Sequence, residues 1–320
     1  MYARQFFVSR RTFAGSLVSA CAGGFFASRG LKADNCGRAA IQREIDVIKP
    51  EEYLAFMNRG ASASPEECEE AYRRWPILKR YDDAFSRVVA QMRETKVVAD
   101  VPAVWYVYNM GIVVKTRETV FSMDLCHRLA STIADELDFA VISHNHDDHF
   151  TKEFYDAMDS RRKTVISNFA DNYGACLRKA QGGFSRGECV YRIKDVTVRT
   201  FQSDHNKFLR GFVMPVEVST PSYSIFHSGD TFNTGDLRPV RVPDMWIHHP
   251  YCWSRKEDPG ETVLGIRAFR PRLAVVAHHQ ELAHPSGGSR WTFAQAEWRK
   301  SQAEKEGAKA IVPFWGDRLV

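Results

Sequence analysis

Residues 144–149 read His-Asn-His-Asp-Asp-His and follow directly on the apolar run Phe139-Ala140-Val141-Ile142-Ser143. No other stretch restricts the fold as much. Three imidazoles and two carboxylates within six residues do not suit a packed core, where each unpartnered polar group costs roughly several kcal/mol. A solvated loop is built as readily from Gly, Ser or Lys. The hexad is explained if its side chains converge on metal, since neutral imidazole and ionised carboxylate are the usual ligands of zinc, manganese and iron.

The pattern of a buried β-run followed by a ligand-type residue occurs three more times. Val196 to Phe201 alternates and ends near His205; Tyr223-Ser224-Ile225-Phe226 leads to Gly229-Asp230; Leu273 to Ala277 ends at His278. Further β-rich runs are Ala103–Tyr108, Gly111–Val114, Thr119–Met123, Thr164–Ser167 and Val190–Ile193. Helices are expected over Thr151–Met158 and Asp171–Ala180. Strands mixed with helices, with polar residues at strand ends, predict an αβ/βα sandwich over residues 97–320. Asp124 closes the third run, where it either braces the metal loop or caps a helix over Leu125–Leu137.

Ahead of the sandwich, residues 34–96 read as a helical extension without a histidine, a cap or collar with no metal chemistry of its own. Pro50-Glu51-Glu52 and Ser64-Pro65-Glu66-Glu67 are helix starts, with proline in the first turn and acids at the positive end. Pro76 ends or kinks the second helix, which resumes over Ile77–Arg93.

The hexad spells H-x-H-x-D-H and resembles the signature of the metallo-β-lactamase-fold hydrolases. The resemblance covers about Val97 to Val320 and implies a four-layer αβ/βα sandwich with two divalent cations, zinc first, manganese or iron as alternatives. It implies that His144, His146 and His205 hold one cation, that Asp148, His149 and His278 hold the other, and that Asp230 bridges both. His279 and His284 compete with His278 for the last place. Asp124 would brace the metal loop, and His279, Glu281 or His284 would assist substrate binding. His227, His248 and His249 are read as core or pocket histidines, and Trp246, Tyr251 and Trp253 as pocket wall or aromatic core.

Members of that family that hydrolyse β-lactams carry Cys or Ser in place of Asp230, and oxygen-reducing diiron members carry Glu in place of His146. Neither activity is therefore expected. The stretch from Ala277 to His284 is similar to the lactonase and phospholipase D-like phosphodiesterase branch. The implied reaction is hydrolysis of an ester, lactone or phosphodiester by a metal-bridging hydroxide, with water acidified to a pKa of about 7. Asp148 would orient the nucleophile and is the catalytic candidate. The implied substrate is a small or lipid-like molecule. A metal-binding protein of the same fold without turnover is the alternative from another class, and a nuclease the third.

Composition bears on the nuclease and on location. Five of the 44 basic residues (Arg4, Arg10, Arg11, Arg29 and Lys32) precede the first acid, Asp34, and without them the basic count equals the 39 acidic residues. The body is near neutral, so no phosphate-tracking surface and no nucleic-acid partner are expected. Residues 1–33 resemble a twin-arginine export signal: Ser9-Arg10-Arg11-Thr12-Phe13, then the weakly apolar Ala14–Ala27. Export to the periplasm or beyond by the twin-arginine machinery is the expectation. The alternatives are a lipidated Cys21 or a plain basic N-terminus. The other six cysteines are too sparse for a disulfide scaffold, with a Cys36–Cys68 bridge the one pairing considered.

Overall fold

The computed structural model describes residues 35–169, 189–250, 260–285 and 290–320. The expected export segment, the helix over 171–180, and Tyr251 and Trp253 lie outside the described residues.

The N-terminal extension is helical throughout: α1 (Asn35–Val47), α2 (Pro50–Met57), α3 (Pro65–Arg74) and α4 (Pro76–Glu94). Proline begins three of the four, where its missing N–H costs nothing. Ser64 and Glu67 form a reciprocal capping box at the start of α3. The residue before a proline avoids the helical region. Trp75 accordingly stands at φ −134°, ψ 84°, and separates α3 from α4.

Two sheets follow. The first has the order β1-β2-β3-β4-β5, from β1 (Ala103–Tyr108), β2 (Gly111–Lys115), β3 (Val120–Met123), β4 (Phe139–Ile142) and β5 (Thr164–Ser167). The second runs β12-β11-β10-β9-β8-β7-β6, from β6 (Cys189–Ile193), β7 (Val196–Thr200), β8 (Val216–Ser219), β9 (Ser224–His227), β10 (Met245–His248), β11 (Ala274–Val276) and β12 (Ala310–Ile311). Helices α4 and α5 (Lys152–Ser160) pack on the first sheet. Helices α6 (Gly260–Phe269) and α7 (Phe293–Lys305) cover the second. This is the expected four-layer sandwich.

Its parallel parts matter most for function. β3, β4 and β5 run parallel, as do β9 to β12. Parallel strands are buried on both faces, and β4, β9, β10 and β11 are apolar and buried along their whole length, apart from a terminal Ser or His. Their carboxyl ends share one edge of the sandwich, where polar residues are freed from the core.

The extension is more than a collar. Ile45, Tyr53, Tyr81 and Val88 belong to the same buried apolar cluster as Tyr106, Phe139, Val216 and Val275. Two buried arginines also pin it. Arg128 bonds both oxygens of Asp82 on α4 and the carbonyl of Gly60. Arg290 donates to the carbonyls of Ile45, Ile48 and Leu282.

Two expectations are corrected. Residues 125–137 form no α-helix, only a 3-10 turn over Ala130–Ile133. His127 and Arg128 in this stretch are buried and drawn to the backbone of Tyr81 and to Asp82, and these fixed partners override local helix preference. Cys68 is a free thiol, not a bridge to Cys36; its Sγ lies 3.4 Å from Arg128 Nη2. Strands β8, β10 and β12 and helices α6 and α7 have no counterpart among the runs expected from the sequence.

Candidate metal centre

Each candidate ligand is placed by a strand end. β4 delivers His144 to His149; β7 leads to His205, β9 to Asp230, β10 to His249 and β11 to His278. Nitrogens and carboxylate oxygens of His144, His146 and His205 approach one another within 4.8 Å, as do those of Asp148, His149 and His278. Asp230 stands between. Its Oδ1 is 3.3 Å from His149 Nε2, and its Oδ2 is 3.2 Å from His278 Nε2 and 3.5 Å from His205 Nε2. All seven residues expected to ligate are thus brought together.

Backbone geometry aims them. Gly229, just before Asp230, has φ +54°, and a Cβ there would meet Val213 Cγ1 at 2.8 Å and Ser143 at 3.0 Å. Only glycine fits. Asn109, Asp124, His278 and Gln280 also have positive φ, at 55°, 44°, 50° and 56°. Non-glycine residues avoid this region, and such strain collects where surrounding structure holds a functional geometry.

Asp124 braces the loop and caps no helix. Its Oδ1 accepts from the Ser143 backbone at 2.6 Å, and its Oδ2 from Ser143 Oγ at 2.6 Å and His149 Nδ1 at 2.8 Å. That last bond fixes the His149 tautomer and leaves Nε2 facing Asp230. His278 is the member of its trio that joins the cluster. His279, expected as a substrate-binding residue, instead turns away from the cluster and is fully buried against Tyr106 and Phe293. The left-handed turn of the chain at His278, φ 50°, separates the two neighbours. His284 sits at the rim with Nδ1 2.7 Å from Glu281 Oε2, and both lie close to Asp148.

The remaining histidines divide. His227 is a satisfied core residue, with Nε2 on the Met110 carbonyl and Nδ1 accepting from Gly229. His248 stacks on the fully buried Trp246 and reaches Thr262 Oγ1. His249 belongs at the site, grouped with Asp230 and His278. Its position repeats the β-run-then-ligand pattern, which was hidden because β10 was not recognised. Asn109 was missed outright. It lies in the β1–β2 turn, and its Nδ2 donates to Asp148 Oδ2 at 3.0 Å. An Asn before Met-Gly in a hairpin was the only signal.

Charge is heavily coupled here. Burial pushes His144 far down, and pushes His146 to about 4. Burial also opposes charge on His278, but Asp230 and Asp148 outweigh it and raise its pKa to about 10. The same carboxylates raise His149 against its burial. Asp148 and Asp230 resist the effect of burial and stay well below the usual carboxylate range because these histidines face them.

The donor set fits a metal. His149 Nε2, His278 Nε2 and Asp230 Oδ1 are buried without a hydrogen-bond partner, yet all three point at the shared centre. Orphaned buried polar atoms are rare in native proteins. Here they are nitrogen and oxygen donors of the type that bind divalent cations.

No family model and no curated protein sequence matches the chain. Solved structures do. A metallo hydrolase from the archaeon Ignicoccus hospitalis superposes with TM-score 0.53 at 15% identity, over 68% of this chain and 97% of its own. A metallo-β-lactamase fold protein, YhfI from Bacillus subtilis, superposes with TM-score 0.50 at 12% identity, over 68% of this chain and 98% of its own. The chain has the metallo-β-lactamase fold. At such identities the likeness concerns the fold. The fold's sandwich accounts for about two thirds of the chain in both comparisons.

Proposed function

We propose that this protein is a metal-dependent hydrolase that holds two divalent cations, zinc first, with manganese or iron as alternatives. The observation that carries the reading is Asp230, one buried carboxylate facing both histidine groups, with orphaned nitrogens around it. His144, His146 and His205 would hold one cation, and Asp148, His149 and His278 the other, with Asp230 shared. Bound cations would polarise the substrate oxygen and lower the pKa of water to about 7.

The chain's own residues do the rest. Asp148, kept ionised and held by Asn109, orients a nucleophilic water. Asp124 fixes the direction of His149 through its Nδ1. His284, with its Nδ1 held by Glu281 and its side chain 38% exposed, is placed to bind substrate at the rim. The substrate is an ester, lactone or phosphodiester, in line with the lactonase and phospholipase D-like branch. Export by the twin-arginine route completes the reading. Among the described residues no helix is long and apolar enough to cross a membrane.

The test is metal analysis of the purified protein together with hydrolysis of nitrophenyl esters and bis(nitrophenyl) phosphate, with and without chelator. Two equivalents of metal and chelator-sensitive turnover are expected. Metal without turnover on any of these would favour a binding protein, and absence of metal would remove the site.

A further inference from the structure

A cavity of about 390 Å³ lies between the helical extension and the loop that carries the hexad. One wall is the carboxyl end of α2, with Leu54, Met57 and Asn58; the other is Asp147, inside the hexad, with Phe150 just after it. Arg128, Lys152 and Glu153 complete the lining with Thr151. Its volume falls in the range of small-molecule pockets, roughly 300–1,000 Å³.

Its charges are unequal in effect. Arg128 is paired with the buried Asp82 at 2.5 Å, and the exposed Lys152 with Asp156 at 2.5 Å. The two acids have no such partners among the described residues. Glu153 accepts hydrogen bonds from Ser131 Oγ and the Ala61 backbone, which are uncharged donors. Asp147 is exposed, and no cation pairs with it. The cavity therefore joins an apolar floor of Leu54, Met57 and Phe150 to uncompensated negative charge. Such a site repels anions and accepts apolar groups that are neutral or cationic.

We infer that this cavity binds the apolar arm of the substrate, and that the arm carries no anionic group. The inference rests on the hydrolase reading, with the metal cluster and the cavity sharing the 144–150 loop. It also gives the extension a role: α2, which holds no metal-ligating histidine, selects the substrate through Leu54 and Met57.

The experiment uses the full-length, metal-loaded protein and two probes of equal chain length, hexyltrimethylammonium and hexanesulfonate. Binding is followed by saturation-transfer NMR titration. The cationic probe should bind roughly tenfold more tightly, a gap of about 1.4 kcal/mol. Met57→Trp, which fills the cavity, should weaken it by a similar factor, and Asp147→Asn should narrow the gap between probes. Asn58→Trp, at an exposed position on the cavity wall, serves as the filling variant if Met57→Trp does not fold. In parallel, the ratio of kcat/KM for nitrophenyl hexanoate over nitrophenyl acetate should fall in the filled variant. Equal binding of the two probes, or binding indifferent to filling, would overturn the inference even if the esters are turned over. Selective, fill-sensitive binding without ester turnover would keep the cavity and remove the hydrolase reading.

Discussion

Asn109 and Asp148 are joined twice, because Asn109 Nδ2 donates to both the backbone oxygen and Oδ2 of Asp148 at 3.0 Å. The carbonyl of Asn109 also accepts from the His278 backbone at 2.9 Å. One hairpin residue from the first sheet thus sets two members of a cluster assembled from both sheets.

Asn109→Ala should therefore deplete metal selectively at the Asp148–His149–His278 group. Loss of a residue that orients ligands typically costs 10–100-fold in affinity, so roughly that is expected here. Metal content after dialysis against graded chelator measures it. Retention of both equivalents at wild-type affinity would deny Asn109 this role.

Asp124→Asn removes the charge that holds His149 Nδ1–H and the Ser143 backbone. Metal affinity or turnover should drop about 10–100-fold with the overall fold kept. Circular dichroism beside metal titration separates the two effects. His146→Ala is the harsher change and should abolish metal loading at its site together with turnover.

Removing metal should expose a pH dependence with two limbs. His278 is raised to about 10 in the folded protein, so its contribution to stability is complete below about 6.5 and is lost as pH rises through 10. His146 is depressed to about 4, so its contribution is present above about 6.5 and is lost as pH falls through 4. The metal-free protein should be most stable near pH 6.5 and melt earlier on either side. With His278 as a ligand of the proposed centre, metal would compete with its proton, and metal affinity should rise with pH over the alkaline limb. Calorimetry of chelated and loaded protein from pH 4 to about 10 would show it, and a flat profile for the chelated form would contradict the assignment.

Arg128→Ala leaves Asp82 buried without its cation. Breaking a buried pair from one side costs about 3–5 kcal/mol, so a large fall in urea midpoint is expected. Replacing both partners with apolar residues should recover much of it. If the single change costs less than about 1 kcal/mol, as an exposed pair would, the extension is not pinned by this pair.

Legible along the chain alone are the hexad, the four places where a β-run hands over to a ligand-type side chain, and the helices of the extension with their proline starts. These follow from residue type and from periods of two and 3.6, which are properties of neighbours along the chain. Which groups meet depends on the packed fold. His278 and His279 are adjacent in sequence, yet a left-handed turn at φ 50° sends one to the cluster and the other into the core. Asn109, His249 and the cavity beneath α2 depend on contacts between segments far apart in the chain, as does the turn at 125–137, held by Tyr81 and Asp82. Convergence of that kind is produced by the packing of two sheets, and no local pattern encodes it.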